Sequence, residues 1–165
     1  SEFVKNHSYD IEIKVIEDGD IILDTGGGVL NLIDKSDEEN FLIFNPDTIW
    51  NKNYTEEINH MINLYFNQKL KNLLLLVKKD LSFDKNLKGD FGLENNLVNQ
   101  NNRTFIYTGC QILNKSILKN EKITNFSITK IWFDLIKNDK LNGFESKIKF
   151  YHASNLEIFK KLEDL

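Results

Sequence analysis

Apolar and polar residues alternate along Ile11-Glu12-Ile13-Lys14-Val15-Ile16, the period-2 pattern of a half-buried or edge strand. Asp18-Gly19-Asp20 reads as a turn, and Ile21-Ile22-Leu23 leads into Asp24-Thr25-Gly26-Gly27-Gly28. Val29 to Ile33 then suits a short helix. Phe41-Leu42-Ile43-Phe44 is a continuous apolar run closed by Asn45-Pro46-Asp47, which predicts a strand covered on both faces, as in a parallel sheet between helices. Ile58, Met61, Ile62 and Tyr65 recur at helical spacing behind a Thr55 cap. Leu73 to Val77 is a second buried strand, ended by Lys78-Lys79-Asp80.

Residues 81–102 are rich in Asn, Asp, Lys and Gly, and the pattern around Asn95-Asn96 predicts a hairpin. Thr104 to Tyr107 and Cys110 to Leu113 read as one strand broken by the small pair Thr108-Gly109. Ser127 caps a predicted helix through Asn138, with Ile128, Ile131, Trp132, Leu135 and Ile136 on one face. Leu141–Ser146 and Lys149–His152 read as strands. Ser154-Asn155-Leu156-Glu157 has the form of a capping box opening a last helix, whose inner face is read as Leu156, Phe159 and Leu162. Strands alternating with helices predict a single α/β layered domain over residues 1–165, with no internal repeat and no dividing linker.

Composition narrows the class. The chain has 165 residues, and 12 Phe, five Tyr and two Trp supply the bulk of a real core, which excludes disorder as the main state. No apolar run approaches the roughly 20 residues a membrane helix needs, so no membrane partner is expected. A net charge of −4 argues against nucleic acid as a general partner. A single cysteine, Cys110, excludes an internal disulfide framework, and its setting suggests a buried, inert thiol. No secretory signal is visible, which makes the cytoplasm the default. Ser1-Glu2-Phe3 has the character of a cloning scar or of the tail of a lost segment and is kept out of the fold reasoning. The abundance of Lys and Asn follows codon bias, so Asn99-Gln100-Asn101-Asn102 is a solvated loop.

Three places offer chemistry. Gly26, Gly27 and Gly28 lack Cβ atoms and let a backbone approach a base or phosphate, though an ordinary turn needs no more than this. The triplet has neither the Rossmann nor the P-loop spacing. Asp47, beside Asn45, follows the Phe41–Phe44 run, and ligands of open α/β sheets bind beyond the carboxyl ends of strands. A carboxylate there suits Mg²⁺ held against phosphates, or equally a plain turn cap. Tyr107-Thr108-Gly109 offers a hydroxyl and a bare backbone to a sugar, or is a strand kink. His152, at the end of its strand, is a further candidate, whereas His7 and His60 read as solvated.

The ordered series Ile22 to Gly28, Phe41 to Asp47, Gly89-Asp90-Phe91, Tyr107 to Leu113, Phe126-Ser127 with Trp132, and Phe150-Tyr151-His152 with Glu157 resembles the sugar-1-phosphate nucleotidyltransferases. The branch it is most similar to is the N-acetylmuramate-1-phosphate uridylyltransferases, also labelled mannose-1-phosphate guanylyltransferase-like. The resemblance spans nearly the whole chain and implies a three-layer α/β/α, Rossmann-related, glycosyltransferase-A-like domain with a mixed sheet. It implies NTP and a sugar 1-phosphate as substrates and Mg²⁺ as cofactor. Gly26, Gly27 and Gly28 would then line the nucleotide pocket, Thr108 and Gly109 would contact the sugar, and Asp47 and His152 would hold the metal.

Departures accompany the matches. The family's opening strand and Arg-bearing, glycine-rich loop would precede residue 1, which makes this a domain truncated at its N-terminus, and Arg103 is the only arginine. Pro46 stands where relatives have Gly, and Ser154-Asn155 replaces Gly-Thr. In the family's sheet the first two strands separate those matching Ile11–Ile16 and Phe41–Phe44. Without them an edge beside Phe41–Phe44 is left open, to be covered by direct pairing of the flanking strands, by self-association through segment exchange, or by a complementing N-terminal chain. The same residues admit another reading, a non-catalytic remnant that binds nucleotide or sugar or serves in assembly.

Overall fold

The computed structural model describes residues 2–164; Ser1, the first residue of the tripeptide set aside above, and Leu165 lie outside the described residues. The elements in chain order are α1 (Glu2–Lys5), α2 (Asp24–Asp34), β1 (Asn40–Phe44), α3 (Tyr54–Asn67), β2 (Asn72–Lys78), β3 (Gly92–Glu94), β4 (Leu97–Asn99), β5 (Phe105–Asn114), α4 (Thr129–Ile136), β6 (Gly143–Ser146) and α5 (Leu156–Glu163). They fall into two compact units: the described part of Ser1–Asp37 with Asn120–Lys130, and Glu38–Lys119 with the described part of Ile131–Leu165. Among the described residues no helix is long and apolar enough to cross a membrane.

In the first unit, the expected strand Ile11–Ile16 does not form. A strand needs a sheet edge to take up its N–H and C=O groups, and these residues belong to no strand; Ile11 is 72% exposed. The two residues that follow it are tied to α2 and its cap: Asp18 accepts the Leu23 N–H at 3.2 Å and Asn31 donates to the Glu17 carbonyl at 3.2 Å. Helix α2 begins at Asp24 and so absorbs the glycine triplet, which is helical rather than a bend.

The second unit is built on a four-stranded mixed sheet in the order β1-β5-β2-β6. β5 runs antiparallel to β1 and to β2, and β6 runs parallel to β2. β2 is the apolar centre, with Leu73 to Val77 all fully buried; each such side chain contributes about 1.5–3 kcal/mol relative to exposure. On one face, Tyr54, Met61 and Tyr65 of α3 pack against Leu73, Leu75, Cys110 and Ile112. On the other, the Trp132 indole N–H donates to Gln111 at 3.3 Å and its ring meets Tyr107 edge-on at 4.7 Å. Alternate residues of β5 thus serve opposite helical layers, which is the expected α/β/α arrangement with a mixed sheet.

β1 differs from expectation. It is an antiparallel edge strand, partnered only by β5 among the described residues, and Leu42 and Phe44 are 39% and 42% exposed. A continuous apolar run cannot distinguish a strand covered on both faces from one that turns alternate side chains outward. The predicted hairpin is present as β3–β4, with Asn95 and Asn96 at φ +50° and +63°, the left-handed pair that a two-residue type I′ turn requires. Lys149–His152 forms no strand; it makes isolated bridges from Phe150 to Ser82 and from His152 to Thr48. The last helix is capped by Asn155 rather than Ser154, its side chain accepting the Ile158 N–H at 3.0 Å. Leu162 faces inward as expected, joined by Ile158, while Leu156 and Phe159 are exposed. Likewise α3 takes Asn53, not Thr55, as its first boundary residue.

Candidate functional site

The site begins where β5 changes register. Leu74 faces Gln111 but Leu76 faces Tyr107, so β5 carries extra residues there, and Gly109 absorbs them at φ +89°. The bulge seats the turn after β1. Asn45 donates its N–H to the Gly109 carbonyl at 2.8 Å, the Thr48 hydroxyl donates to the Thr108 carbonyl at 2.7 Å, and the Trp50 indole donates to the Asn45 carbonyl at 3.0 Å. The far side of the turn is zipped to residues 151–153, with Ile49 N–H donating to the Tyr151 carbonyl at 2.9 Å and Ala153 N–H to the Asp47 carbonyl at 2.8 Å.

These bonds bring Asp47 and His152 together across 105 residues of sequence: Nε2 of His152 lies 3.2 Å from Oδ2 of Asp47. The carboxylate is about half exposed and the imidazole a quarter exposed. The ring stacks on Phe150 at 5.7 Å, and Nδ1 is buried without a hydrogen-bond partner. Among the described residues no three His, Cys, Asp or Glu side chains converge as a ready-made metal cage. One carboxylate and one imidazole fit a divalent cation that completes its shell with substrate oxygens and water.

His152 acts electrostatically on two more carboxylates, Asp84 and Asp90. Asp84 accepts the Ser154 hydroxyl at 2.6 Å and the Asn86 N–H at 2.9 Å. The Ser154 bond first, then the Asn86 bond, holds its carboxyl below the usual range. Asp90, an exposed residue, accepts the Tyr107 N–H at 2.9 Å; desolvation of its carboxyl is the largest influence, outweighs that bond and raises it above the usual range. Burial pushes the Tyr107 phenol well up, and its hydroxyl is buried and unpartnered. Burial also pushes the Cys110 thiol up to about 12, consistent with an inert packing role.

The other expected site residues are already engaged. The Thr108 hydroxyl donates to the Leu75 carbonyl at 2.9 Å and is fully buried, and a Cβ on Gly109 would stand 2.8 Å from that of Asn45. Both residues shape the turn that carries Asp47. In the first unit, the N–H groups of Gly26 and Gly27 both point at the Phe126 carbonyl, at 2.9 and 3.2 Å. A Cβ on Gly26 would clash with the Phe126 ring, and one on Gly27 with the Thr124 carbonyl. Only Gly28 is open, with nothing nearer than an Asp18 oxygen at 3.8 Å. Sequence reasoning does not single out Asp84 or Asp90 as site residues, whereas Tyr107 belongs to the Tyr107-Thr108-Gly109 candidate and Ser154 to the departures from the family pattern. Asp90 has a signal in Gly89-Asp90-Phe91; the pairing of Asp84 with Ser154, 70 residues apart, has none.

No family model and no curated protein matches this chain. Solved structures do. HddC from Yersinia pseudotuberculosis superimposes over 97% of this chain and 69% of its own, at TM-score 0.66 and 18% identity. The inositol-1-phosphate CTP transferase from T. maritima matches over 86% of this chain and 62% of its own, at TM-score 0.61 and 11% identity. A UDP-glucose pyrophosphorylase complexed with UDP-glucose matches over 86% and 61%, at TM-score 0.61 and 17% identity. The fold is therefore the one found in nucleotidyltransferases acting on sugar 1-phosphates, as the sequence resemblance implied. This chain spans about three-fifths to two-thirds of the length of these structures.

Proposed function

We propose that the chain is the cation- and sugar-phosphate-binding part of a sugar-1-phosphate nucleotidyltransferase. In that reaction a phosphate oxygen of the sugar 1-phosphate attacks the α-phosphorus of a nucleoside triphosphate. The new P–O bond forms as the bond to the bridging α–β oxygen breaks, and pyrophosphate leaves. The observation that carries the reading is the Asp47–His152 pair, 3.2 Å apart beyond the end of β1 and held from both sides by backbone hydrogen bonds. A divalent cation bound there, Mg²⁺ on the family pattern, supplies charge neutralisation for the phosphates. Asp47 and His152 hold it, and Phe150 fixes the imidazole plane. Thr108 and Gly109 act as positioning residues through the Asn45–Thr48 turn. In the first unit the nucleotide contact belongs to Gly28, the one triplet member with open space. Solved HddC complexed with GMP-PN and the pyrophosphorylase with UDP-glucose are relatives in fold that hold a nucleotide ligand. A nucleotide-sugar synthesis of this kind belongs in the cytoplasm.

The grip on the triphosphate comes, in this reading, from a preceding segment or a second polypeptide, because Arg103 is the chain's only arginine and the N–H groups of Gly26 and Gly27 are spent on the Phe126 carbonyl. The test is binding rather than turnover. Nucleoside triphosphates, nucleotide sugars and sugar 1-phosphates are titrated into the chain with a divalent cation, and melting temperature is read. Stabilisation that disappears in Asp47→Asn supports the proposal; a wild-type chain that responds to none of these compounds overturns it.

The edge of β1, unpaired among the described residues, favours a second reading, an assembly module, since an unpaired apolar edge is a template for strand addition. Sedimentation over a concentration series separates the two: self-association abolished by Leu42→Lys supports the second, and a monomer at all concentrations rejects self-association.

A further inference from the structure

We infer that the Asp47–His152 pair selects a first-row transition ion, with Mn²⁺ as the probe case, over Mg²⁺, and that Nε2 of His152 is a direct ligand. The inference rests on the reading above that this pair holds a divalent cation. Its ground is the donor set. Mg²⁺ takes oxygen ligands in a strict octahedron and gives up water reluctantly, so an imidazole nitrogen adds little to its affinity. First-row transition ions bind nitrogen donors more tightly than Mg²⁺ does, with Mn²⁺ the weakest of the series and therefore the most stringent probe. The site offers two protein donors, one carboxylate oxygen and one ring nitrogen, 3.2 Å apart.

The nitrogen is not incidental. His152 is fixed by its backbone bridge to Thr48 and by stacking on Phe150. Nδ1 is turned into the protein, which leaves Nε2 as the atom presented to the half-exposed Asp47 carboxylate.

The experiment titrates MnCl₂ into the chain while free Mn²⁺ is read by electron paramagnetic resonance, with MgCl₂ as competitor. A Mn²⁺ dissociation constant about ten-fold or more below that of Mg²⁺ is expected, together with ¹⁴N coupling to bound Mn²⁺ in the pulsed spectrum. His152→Asp, checked for folding by circular dichroism, should erase both the coupling and the preference while still binding Mg²⁺. Should that variant not fold, the ¹⁴N coupling in the wild-type chain decides. Equal affinity for the two ions, or bound Mn²⁺ without nitrogen coupling, overturns the selectivity and leaves the cation reading standing. Failure of both ions to bind overturns both.

Discussion

Asn45 and Gly109 meet backbone to backbone: the Asn45 N–H donates to the Gly109 carbonyl at 2.8 Å, and a Cβ on Gly109 would lie 2.8 Å from that of Asn45. Gly109 also sits at φ +89°, where a side chain is strained whatever the space. Gly109→Ala therefore loses more than about 1 kcal/mol of stability in denaturant unfolding. Because the contact seats the turn carrying Asp47, cation affinity falls in the same variant. Unchanged affinity with lowered stability would show that the turn finds its geometry without the bulge.

The three glycines of α2 separate into two kinds. Gly26→Ala and Gly27→Ala place a methyl group against the Phe126 ring and the Thr124 carbonyl, and both destabilise. Gly28→Ala meets open space in a helix, so it stabilises by about 0.5–1 kcal/mol through helix propensity. Thermal melts of the three variants check the sign. The same Gly28→Ala protein, being well folded, isolates the proposed nucleotide contact: its binding of nucleotide should weaken while its melting temperature rises.

The residues themselves explain what was legible in the sequence. Leu73 to Val77 read correctly because a strand buried on both faces leaves no polar position, and Asn95-Asn96 because left-handed turn geometry restricts the side chains that fit. Ile11–Ile16 misled because alternation reports amphipathicity, not the presence of a neighbouring edge. Phe41–Phe44 misled because apolarity does not report exposure. At the site, Asp47 and His152 stand out in the sequence by following apolar runs and by the family pattern, and the fold brings the two side chains within 3.2 Å. What sequence could not supply was the use already made of Gly26, Gly27 and Thr108, whose polar groups are satisfied by segments tens of residues away. Asp84 escaped for the same reason, its partner Ser154 lying on the approach to the last helix.

The β3–β4 turn offers a clean backbone test. Asn96 holds φ +63° at the second central position, where glycine is the least strained occupant. Asn96→Gly should raise the melting temperature slightly, by up to about 1 kcal/mol of stability. Asn96→Val, β-branched and excluded from that conformation, should lower it by more.

Asp90 carries a stability cost that depends on pH. Its folded-state carboxyl is raised above the ordinary 3.8 by desolvation, so the folded state loses stability relative to the unfolded as pH rises through that interval. Asp90→Asn keeps an acceptor for the Tyr107 N–H and removes the charge. The variant should melt higher than the parent at pH 7, with the advantage vanishing below pH 3.8. A pH series of melts decides it; an Asn variant less stable than the parent at pH 7 and equal to it below pH 3.8 would mean that the carboxylate's attraction to His152 and Arg103 outweighs its desolvation.

Asp84 has the opposite sign. The Ser154 hydroxyl at 2.6 Å and the Asn86 N–H at 2.9 Å hold its folded-state carboxyl below 3.8, so the stability it contributes is present above pH 3.8 and disappears as pH falls through the lower folded value. Ser154→Ala removes the stronger donor from a buried carboxylate, which costs about 1.5–3 kcal/mol near neutral pH. The cost should be full at pH 7 and shrink as pH drops below 3.8, because the protonated acid no longer needs the donor. Ser154 immediately precedes the cap residue Asn155, whose own bond to Ile158 N–H is untouched by the change. Helix α5 should therefore keep its circular dichroism signal in the variant. A loss that is flat across pH would mean Ser154 contributes packing alone and that Asp84's low proton affinity comes from Asn86 and the nearby positive charges.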